Sequence, residues 1–287
     1  PLVLGFETLE NYLAHSVFHG AIVGRFANRI ARGRFKLDGH DHAIAPNDRG
    51  HLLHGGVGGT DRQVWQVAEA GVDSVTLTLR DSAARSGFPG DLAISCTYRL
   101  RPPATLGIEL TATTDAPTPC SLAHHSWFNL DDGGAGDISA HRLAIAAESY
   151  LPVDGEGVPT GEVRGVAGTA FDFRTARPIF AEPVQGYDHN FCLADHRRPL
   201  AFAARLEAAR SVLAMELWTT EPGLQFFDGG VPARTVPGLG GRIYGRHAGL
   251  CLEPQAWPDA PNHAGFPSAI LRPGETYRQV TEFRFSG

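Results

Sequence analysis

Lysine and methionine each occur once in the sequence, and long apolar runs are missing. Lys36 is its only lysine, so neither a Walker-type phosphate loop nor a Schiff-base lysine is expected. The formal net charge of -6 gives no broad positive field, which argues against a nucleic-acid or anionic-membrane partner. No apolar run approaches the ~20 residues needed to span a bilayer, and the first residues show no signal-peptide pattern.

Cysteine is also scarce, and its spacing excludes the common zinc motifs. The four cysteines lie far apart with no CxxC pair, each beside apolar or β-prone residues: Cys96, Cys120, Cys192 and Cys251. This setting is typical of small buried thiols. The sequence therefore predicts free structural cysteines and a reducing, cytoplasmic location.

What the sequence does contain is a large apolar fraction, 43%, with 34 glycines and 20 prolines spread along the chain. Four segments alternate apolar and polar residues with period two, as half-buried antiparallel strands do: Val72–Arg80, Asp91–Arg101, Thr105–Thr114 and Ser211–Thr220. Only Gly20–Arg32 predicts a helix, because Ile22, Phe26 and Ile30 recur at four-residue spacing. The fold class predicted is all-β, a large antiparallel β-sandwich in one domain over residues 1–287.

Five segments embed polar side chains among aromatics and glycines, where a plain β-sandwich would bury apolar residues. They are Gly24–Ile30 (GRFANRI), Leu52–Gly56 (LLHGG), Ala123–Leu130 (AHHSWFNL), Tyr187–Phe191 (YDHNF) and Cys251–Pro258 (CLEPQAWP). Polar groups in such positions must be hydrogen-bonded or must line a cleft.

In this order and spacing, the five segments resemble aldose 1-epimerases of the galactose mutarotase type. Thr219–Phe227 (TTEPGLQFF) and Pro258–Thr276 match as well, so the resemblance covers nearly the whole chain. It implies a galactose mutarotase-like super-sandwich, here lacking the first N-terminal strands of the family. It also implies a monosaccharide substrate, no cofactor or metal, and a monomer or homodimer.

The resemblance assigns roles to six residues. The family's catalytic base falls on Glu253, its catalytic acid on His125, and an assisting group near the sugar ring oxygen on His54. The family's sugar-binding side chains fall on three further residues: Arg29, Asp188 and Gln225.

The chemistry explains why these residue types are needed. To open the ring, the anomeric hydroxyl must lose a proton while the ring oxygen gains one, so a base and an acid must act together. A negative Glu253 beside His125 is expected to raise the pKa of His125 and keep it protonated. The apolar faces of the sugar are expected to stack on aromatic side chains, for which the candidates are Trp127, Phe128 and Trp257.

Three positions depart from the family pattern without removing a reacting group. His124 replaces an asparagine before the acid, Trp127 replaces a tyrosine, and Pro254 replaces a threonine after the base. Because proline restricts the preceding residue, Pro254 is expected to affect the backbone at Glu253 and thus substrate preference more than activity.

Other functions stay open at this point. A metal site could use His54, His125, Asp188 and Glu253, although adjacent His124 and His125 should point to opposite faces of a strand. A glycosidase would need a second carboxylate near Glu253. A non-catalytic sugar-binding module would need no acid and base, and a sugar-phosphate mutarotase would need a basic pocket.

Overall fold

A computed structural model of the chain describes residues 1–181 and 186–287. Strands dominate it, and the helices are short: α1 (Leu9–His15), α2 (Ala83–Ser86) and the 3-10 turns Ala31–Gly33, Gly56–Gly58, Thr60–Arg62, Leu239–Gly241 and Ala260–Asn262. Among the described residues, no helix has the length and apolar character needed to cross a membrane.

The strands of the described residues follow one another in this order: β1 (Ala21–Val23), β2 (Arg29–Ile30), β3 (Arg34–Leu37), β4 (His40–Ala43), β5 (Leu52–Leu53), β6 (Gln66–Ala70), β7 (Ser74–Asp81), β8 (Leu92–Arg101), β9 (Thr105–Thr114), β10 (Thr118–Pro119), β11 (Ala123–His125), β12 (Trp127–Phe128), β13 (Arg142–Ile145), β14 (Ser149–Tyr150), β15 (Arg164–Gly165), β16 (Arg177–Pro178), β17 (Asp188–Cys192), β18 (Ala201–Glu207), β19 (Ala214–Thr219), β20 (Gly223–Phe227), β21 (Leu250–Gln255), β22 (Ile270–Leu271) and β23 (Tyr277–Ser286). The four predicted strands are confirmed as β7, β8, β9 and β19.

Two large antiparallel sheets form the sandwich. The nine-stranded sheet has the order β16-β13-β18-β19-β23-β9-β8-β7-β6, and the six-stranded sheet the order β12-β21-β20-β17-β14-β15. The described residues also form four two-stranded sheets, among them β1-β11 and β2-β5. The all-β, antiparallel class expected from the sequence is therefore confirmed.

The main core lies between the two large sheets. The nine-stranded sheet contributes residues such as Leu110 and Phe283, and the six-stranded sheet contributes Leu224, Phe226 and Leu252. Because side chains alternate along a strand, the residues between these apolar ones point to the other face of the six-stranded sheet. That second face carries polar residues such as Gln225 and Glu253. The four cysteines of the chain are buried and free, as predicted.

The helix predicted over Gly20–Arg32 is wrong. The segment forms β1, a turn and β2, with backbone φ of 63° at Asn28 and 54° at Arg32. An amphipathic helix needs an exposed face, whereas every residue from Ile22 to Ile30 is buried. Pairing with β11 and β5 satisfies its backbone in place of helical hydrogen bonds.

Candidate active site

The six-stranded sheet places side chains from three neighbouring strands in one row. Register pairs Asn190 of β17 with Gln225 of β20, and Gln225 with Glu253 of β21. Directly paired residues point to the same face, so these three side chains stand side by side on the face away from the core. Asp188 and Cys251 belong to the adjacent row, joined through Phe227.

Glu253 is a buried carboxylate with an oxygen that nothing satisfies. The residue is 2% exposed, and its Oε2 has no hydrogen-bond partner among the described residues. Burial, and after it the negative charge of Asp188, raises the pKa of Glu253 well above its usual 4.5, while Arg29 acts in the opposite direction. A buried polar atom without a partner is costly, so this oxygen is suited to receive a ligand or a proton.

His125 faces that oxygen from the end of β11. Its Nε2 lies 3.6 Å from Oε2 of Glu253, and its Nδ1 lies 3.5 Å from Sγ of Cys251. Pairing of β11 with β1 sets this direction, and His124 points the opposite way, against Tyr98 and Phe283, as the strand alternation predicts. The two residues to which the resemblance assigns the acid and base roles therefore lie next to each other.

The pKa expected for His125 is wrong in direction. Burial lowers the pKa of His125 to about 4 instead of raising it. The physical reason is that Glu253 is itself buried and held toward its neutral form, so it offers little negative charge to an imidazolium. In the free site burial therefore favours the neutral form of both side chains.

His54 lies beside both groups in a strained turn after β5. Its backbone φ is 52°, its ring packs edge-on against that of His125 at 5.3 Å, and it is 5% exposed. The backbone N–H of Asn28 donates to Nδ1 of His54 at 3.1 Å. Because burial lowers the pKa of His54 well below 6.5, the ring is neutral and must carry its proton on Nε2. His54 thus presents a fixed donor.

That proton also bears on the metal hypothesis. One ligand atom from each of His54, His125 and Glu253 lies within 4.8 Å of the others, which is a plausible metal cluster by distance. A histidine nitrogen binds a metal through its lone pair, yet the lone pair of His54 already accepts the Asn28 N–H. If Nε2 bound a metal, the ring proton of His54 would move to Nδ1 and would face the Asn28 N–H. The three residues therefore do not fit a metal ion that all of them coordinate.

The predicted sugar-binding residues gather on the rim beside Glu253. Nε2 of Gln225 donates to Oδ1 of Asp188 at 2.6 Å, and NH1 of Arg29 lies 3.8 Å from Oδ2 of Asp188. The Asp188 side chain is 43% exposed, so this carboxylate is open to solvent. All six residues named from the sequence are thus brought to one face.

The three aromatic residues expected to stack on the sugar lie in different surroundings. Trp127 lies at the site, 6.1 Å from the ring of His125, whereas Phe128 points into the core against Phe283. Trp257 packs on Phe266, and its Nε1–H donates to the carbonyl oxygen of Pro222. The stacking expectation is therefore wrong for Phe128, because neighbouring residues of a strand face opposite sides.

Sequence reasoning missed Phe18, Cys251 and Asp48. The half-buried ring of Phe18 packs against those of His54 and His125, at 4.6 and 5.5 Å. Its φ of 56° is a strained value for an aromatic residue, which no pattern in the sequence announces. Cys251 could have been found, since it stands two residues before Glu253 and so shares its face.

The arrangement can move protons between two neighbouring oxygens of one ligand. Glu253 and His125 supply a proton acceptor and donor within reach of each other, and His54 supplies a fixed hydrogen bond. Asp188, Arg29 and Gln225 offer carboxylate, guanidinium and amide groups of the kind that bind hydroxyls.

Comparison with known proteins gives a consistent result. A family model described as aldose 1-epimerase matches residues 1–284. The galactose mutarotase of Rattus norvegicus is 42% identical over 291 residues, which cover 99% of this chain and 84% of the rat protein. The aldose 1-epimerase of Escherichia coli K12 is 38% identical, with the same coverage of 99% and 84%. A crystal structure of an aldose epimerase homologue from C. elegans aligns with a TM-score of 0.92 at 31% identity, covering 99% of this chain and 87% of the other.

Proposed function

The chain belongs to the aldose 1-epimerase family, and on that premise we propose which of its residues interconvert the α and β anomers of a free aldose. Glu253 is the base that takes the proton of the anomeric hydroxyl, and His125 is the acid that protonates the ring oxygen. The C1–O5 bond breaks, the C1–C2 bond rotates, and the ring recloses on the other face. The roles of the two groups exchange on closure, so the site is restored.

The observation that carries this proposal is the 3.6 Å separation between Nε2 of His125 and the unpartnered, buried Oε2 of Glu253. A sugar places its anomeric and ring oxygens on the same carbon, so a base and an acid this close can reach both. A binding module would have no use for a buried carboxylate that lacks a partner.

The protonation state of the free pair is compatible with these roles. The neutral pair and the ion pair contain the same single proton, so the exchange between them does not depend on pH. A sugar hydroxyl donating to Glu253 would favour its carboxylate form, and Arg29 already acts in that direction. Sugar binding would therefore move the proton from Glu253 to His125, which leaves a carboxylate as the base and an imidazolium as the acid.

The assisting roles follow from the contacts already described. His54 presents its Nε2–H as a neutral donor that cannot act as base, which suits a hydrogen bond to the sugar ring oxygen. Asp188, Arg29 and Gln225 bind hydroxyls on the open rim. Because two further carboxylates, Asp188 and Asp48, lie near Arg29, the rim suits a neutral sugar better than a sugar phosphate.

The substrate we propose is a glucose- or galactose-like aldose, since the rat relative is named galactose mutarotase. We further propose a cytoplasmic protein of a single domain, monomeric or homodimeric, without a nucleic-acid or membrane partner. The four free, buried cysteines support the cytoplasmic location. The net charge of -6 argues against a nucleic-acid or anionic-membrane partner.

The experiment that tests the proposal is polarimetry on freshly dissolved α-glucose and α-galactose. The protein should speed the approach to the equilibrium rotation above a buffer blank, which itself catalyses the reaction. Binding of sugar with no rate above the blank would favour the binding module instead.

A further inference from the structure

Asp48, which no sequence motif singles out, holds the guanidinium of Arg29. Oδ2 of Asp48 accepts a hydrogen bond from Nε of Arg29 at 3.0 Å and lies 2.9 Å from its NH2 in an ion pair. The Arg29 side chain is only 7% exposed and that of Asp48 is 26% exposed, so the pair is shielded and charge-assisted. One edge of the guanidinium is thereby fixed.

The opposite nitrogen of Arg29 stops short of Asp188. NH1 lies 3.8 Å from Oδ2 of Asp188, beyond hydrogen-bond distance, although the two groups carry opposite charge. Direct Arg–carboxylate contacts settle at about 2.7–2.9 Å when nothing prevents them. The two groups therefore form an ion pair without a direct hydrogen bond, and Oδ1 of Asp188 accepts from Gln225 instead.

The backbone around Asp48 is built to resist movement. Asp48 and His51 exchange backbone hydrogen bonds around a tight turn whose central residues, Arg49 and Gly50, have φ of 46° and 83°. His51 ties this turn down at both ring nitrogens: Nδ1 accepts the Arg32 N–H at 3.1 Å, and Nε2 lies 2.9 Å from a carboxylate oxygen of Glu156. These contacts thus hold in place the backbone that carries the Asp48 carboxylate.

A second loop closes the remaining side of Arg29. A Cβ at Gly157 would lie 3.1 Å from NH1 of Arg29, and the φ of Gly157 is 83°, so the chain runs against the guanidinium at a residue that glycine alone adopts easily. Asp48 and Gly157 together leave Arg29 little freedom to rotate.

We propose that Asp48 is a positioning residue that holds Arg29 away from Asp188, so that both side chains remain available to sugar hydroxyls. Without Asp48, the guanidinium would close on Asp188 and form a direct ion pair that occupies the acceptors and donors meant for the substrate. The proposal rests on the function proposed above, since it assumes that a sugar binds at this rim.

Kinetics of three single variants test it first, after wild type has been shown to exceed the blank. Asp48→Ala should raise KM about tenfold and change kcat less than about twofold, because a lost orientation of binding groups weakens ground and transition states alike. Asp48→Glu, which keeps the charge, should recover most of the affinity. Asp41→Ala, an exposed aspartate on the β3–β4 hairpin, controls for loss of one negative charge and should match wild type.

The decisive comparison uses an Asp188→Ala background, where Arg29 has no carboxylate to close on. There, Asp48→Ala should raise KM less than about twofold, since the two residues are coupled. A crystal structure of Asp48→Ala should show the Arg29–Asp188 contact shortened from 3.8 Å to about 2.9 Å. If Asp48→Ala does not fold, Asp48→Asn takes its place in the same comparisons.

An unchanged KM in Asp48→Ala, or an equal rise in KM with and without Asp188, would overturn the proposal while leaving the mutarotase function intact. Absence of activity in wild type would instead remove the function on which the proposal rests. The two failures are therefore distinguishable.

Discussion

Two buried glutamates in this protein have opposite surroundings. Glu253 is 2% exposed and leaves Oε2 without a partner, whereas Glu221, fully buried, accepts from Nε of Arg197 at 2.8 Å. The Arg197 guanidinium lies in turn over the ring of Tyr277, 4.3 Å from its centroid. Burial raises the pKa of both carboxyl groups, but only at Glu221 does an adjacent cation oppose it directly. Burial alone therefore does not distinguish the two glutamates; the partner that Oε2 of Glu253 lacks among the described residues does.

The comparison is tested most strongly by removing the base. Glu253→Gln should lower kcat about 10²–10⁴-fold while the sugar still binds, because a general base contributes that much and the amide retains the shape. Polarimetric rates and a sugar titration would measure both. Full activity in this variant would remove Glu253 from the mechanism.

The second prediction concerns the paired glutamate. Arg197→Met should lower the free energy of unfolding by about 3 kcal/mol, because it leaves Glu221 buried and unpaired, and the Arg197 side chain is 34% exposed, which moderates the loss. Denaturant unfolding would measure it, and kcat of the folded variant should equal that of wild type. A fall in kcat without loss of stability would mean that Glu221 is not merely structural.

The pH dependence of kcat/KM should be bell-shaped, falling about tenfold per pH unit outside each limb. The acidic limb should follow protonation of His125, whose pKa burial lowers to about 4. The alkaline limb should follow ionisation of Glu253 while His125 is neutral, and burial raises the pKa of Glu253. ¹³C NMR of the Glu253 carboxyl should titrate with the alkaline limb. A rate that keeps rising far into the alkaline range would contradict the need for this proton.

Stability should also depend on pH through Glu253. Its folded pKa is raised above the unfolded value of 4.5, so its contribution to stability is complete below about pH 4.5 and is lost as the pH rises through the folded pKa. Within that window the slope should reach about 1.4 kcal/mol per pH unit and should disappear in Glu253→Gln. Glu221→Gln is the matched control and should remove less of the slope, because Arg197 opposes the shift there.

The smallest expected effect is that of a chelator. Dialysis against EDTA should leave kcat/KM unchanged, since the fixed tautomer of His54 presents an N–H where a metal needs a lone pair. Activity that falls on dialysis and returns with a divalent ion would contradict both this tautomer and the cofactor-free mechanism.

Much of this site could be predicted because its polar residues stand at positions where a β-sandwich ordinarily has apolar ones. Glu253, His125 and Asp188 were identified from polar residues placed among aromatics, together with the family resemblance. Strands such as Thr105–Thr114 were predicted at their observed bounds because period-two patterns depend on local sequence alone.

What failed depends on contacts between distant segments. Gly20–Arg32 has helical spacing, yet pairing with β5 and β11 decides its structure. The pKa of His125 depends on how deeply Glu253 is buried, and the place of Asp48 depends on a turn meeting Arg29. None of these can be read from residue spacing within one segment.

The alternation along β17, β20 and β21 also has a consequence for protein engineering. In β20 and β21 the odd-numbered residues point to the face that carries Glu253 and the even-numbered ones to the core, so the two sets can be randomised separately. A library restricted to Phe227 and Gln255 would search for new sugar preferences without opening cavities between the two large sheets. The sheet thus lets substrate range and foldability evolve on different residues of the same strands.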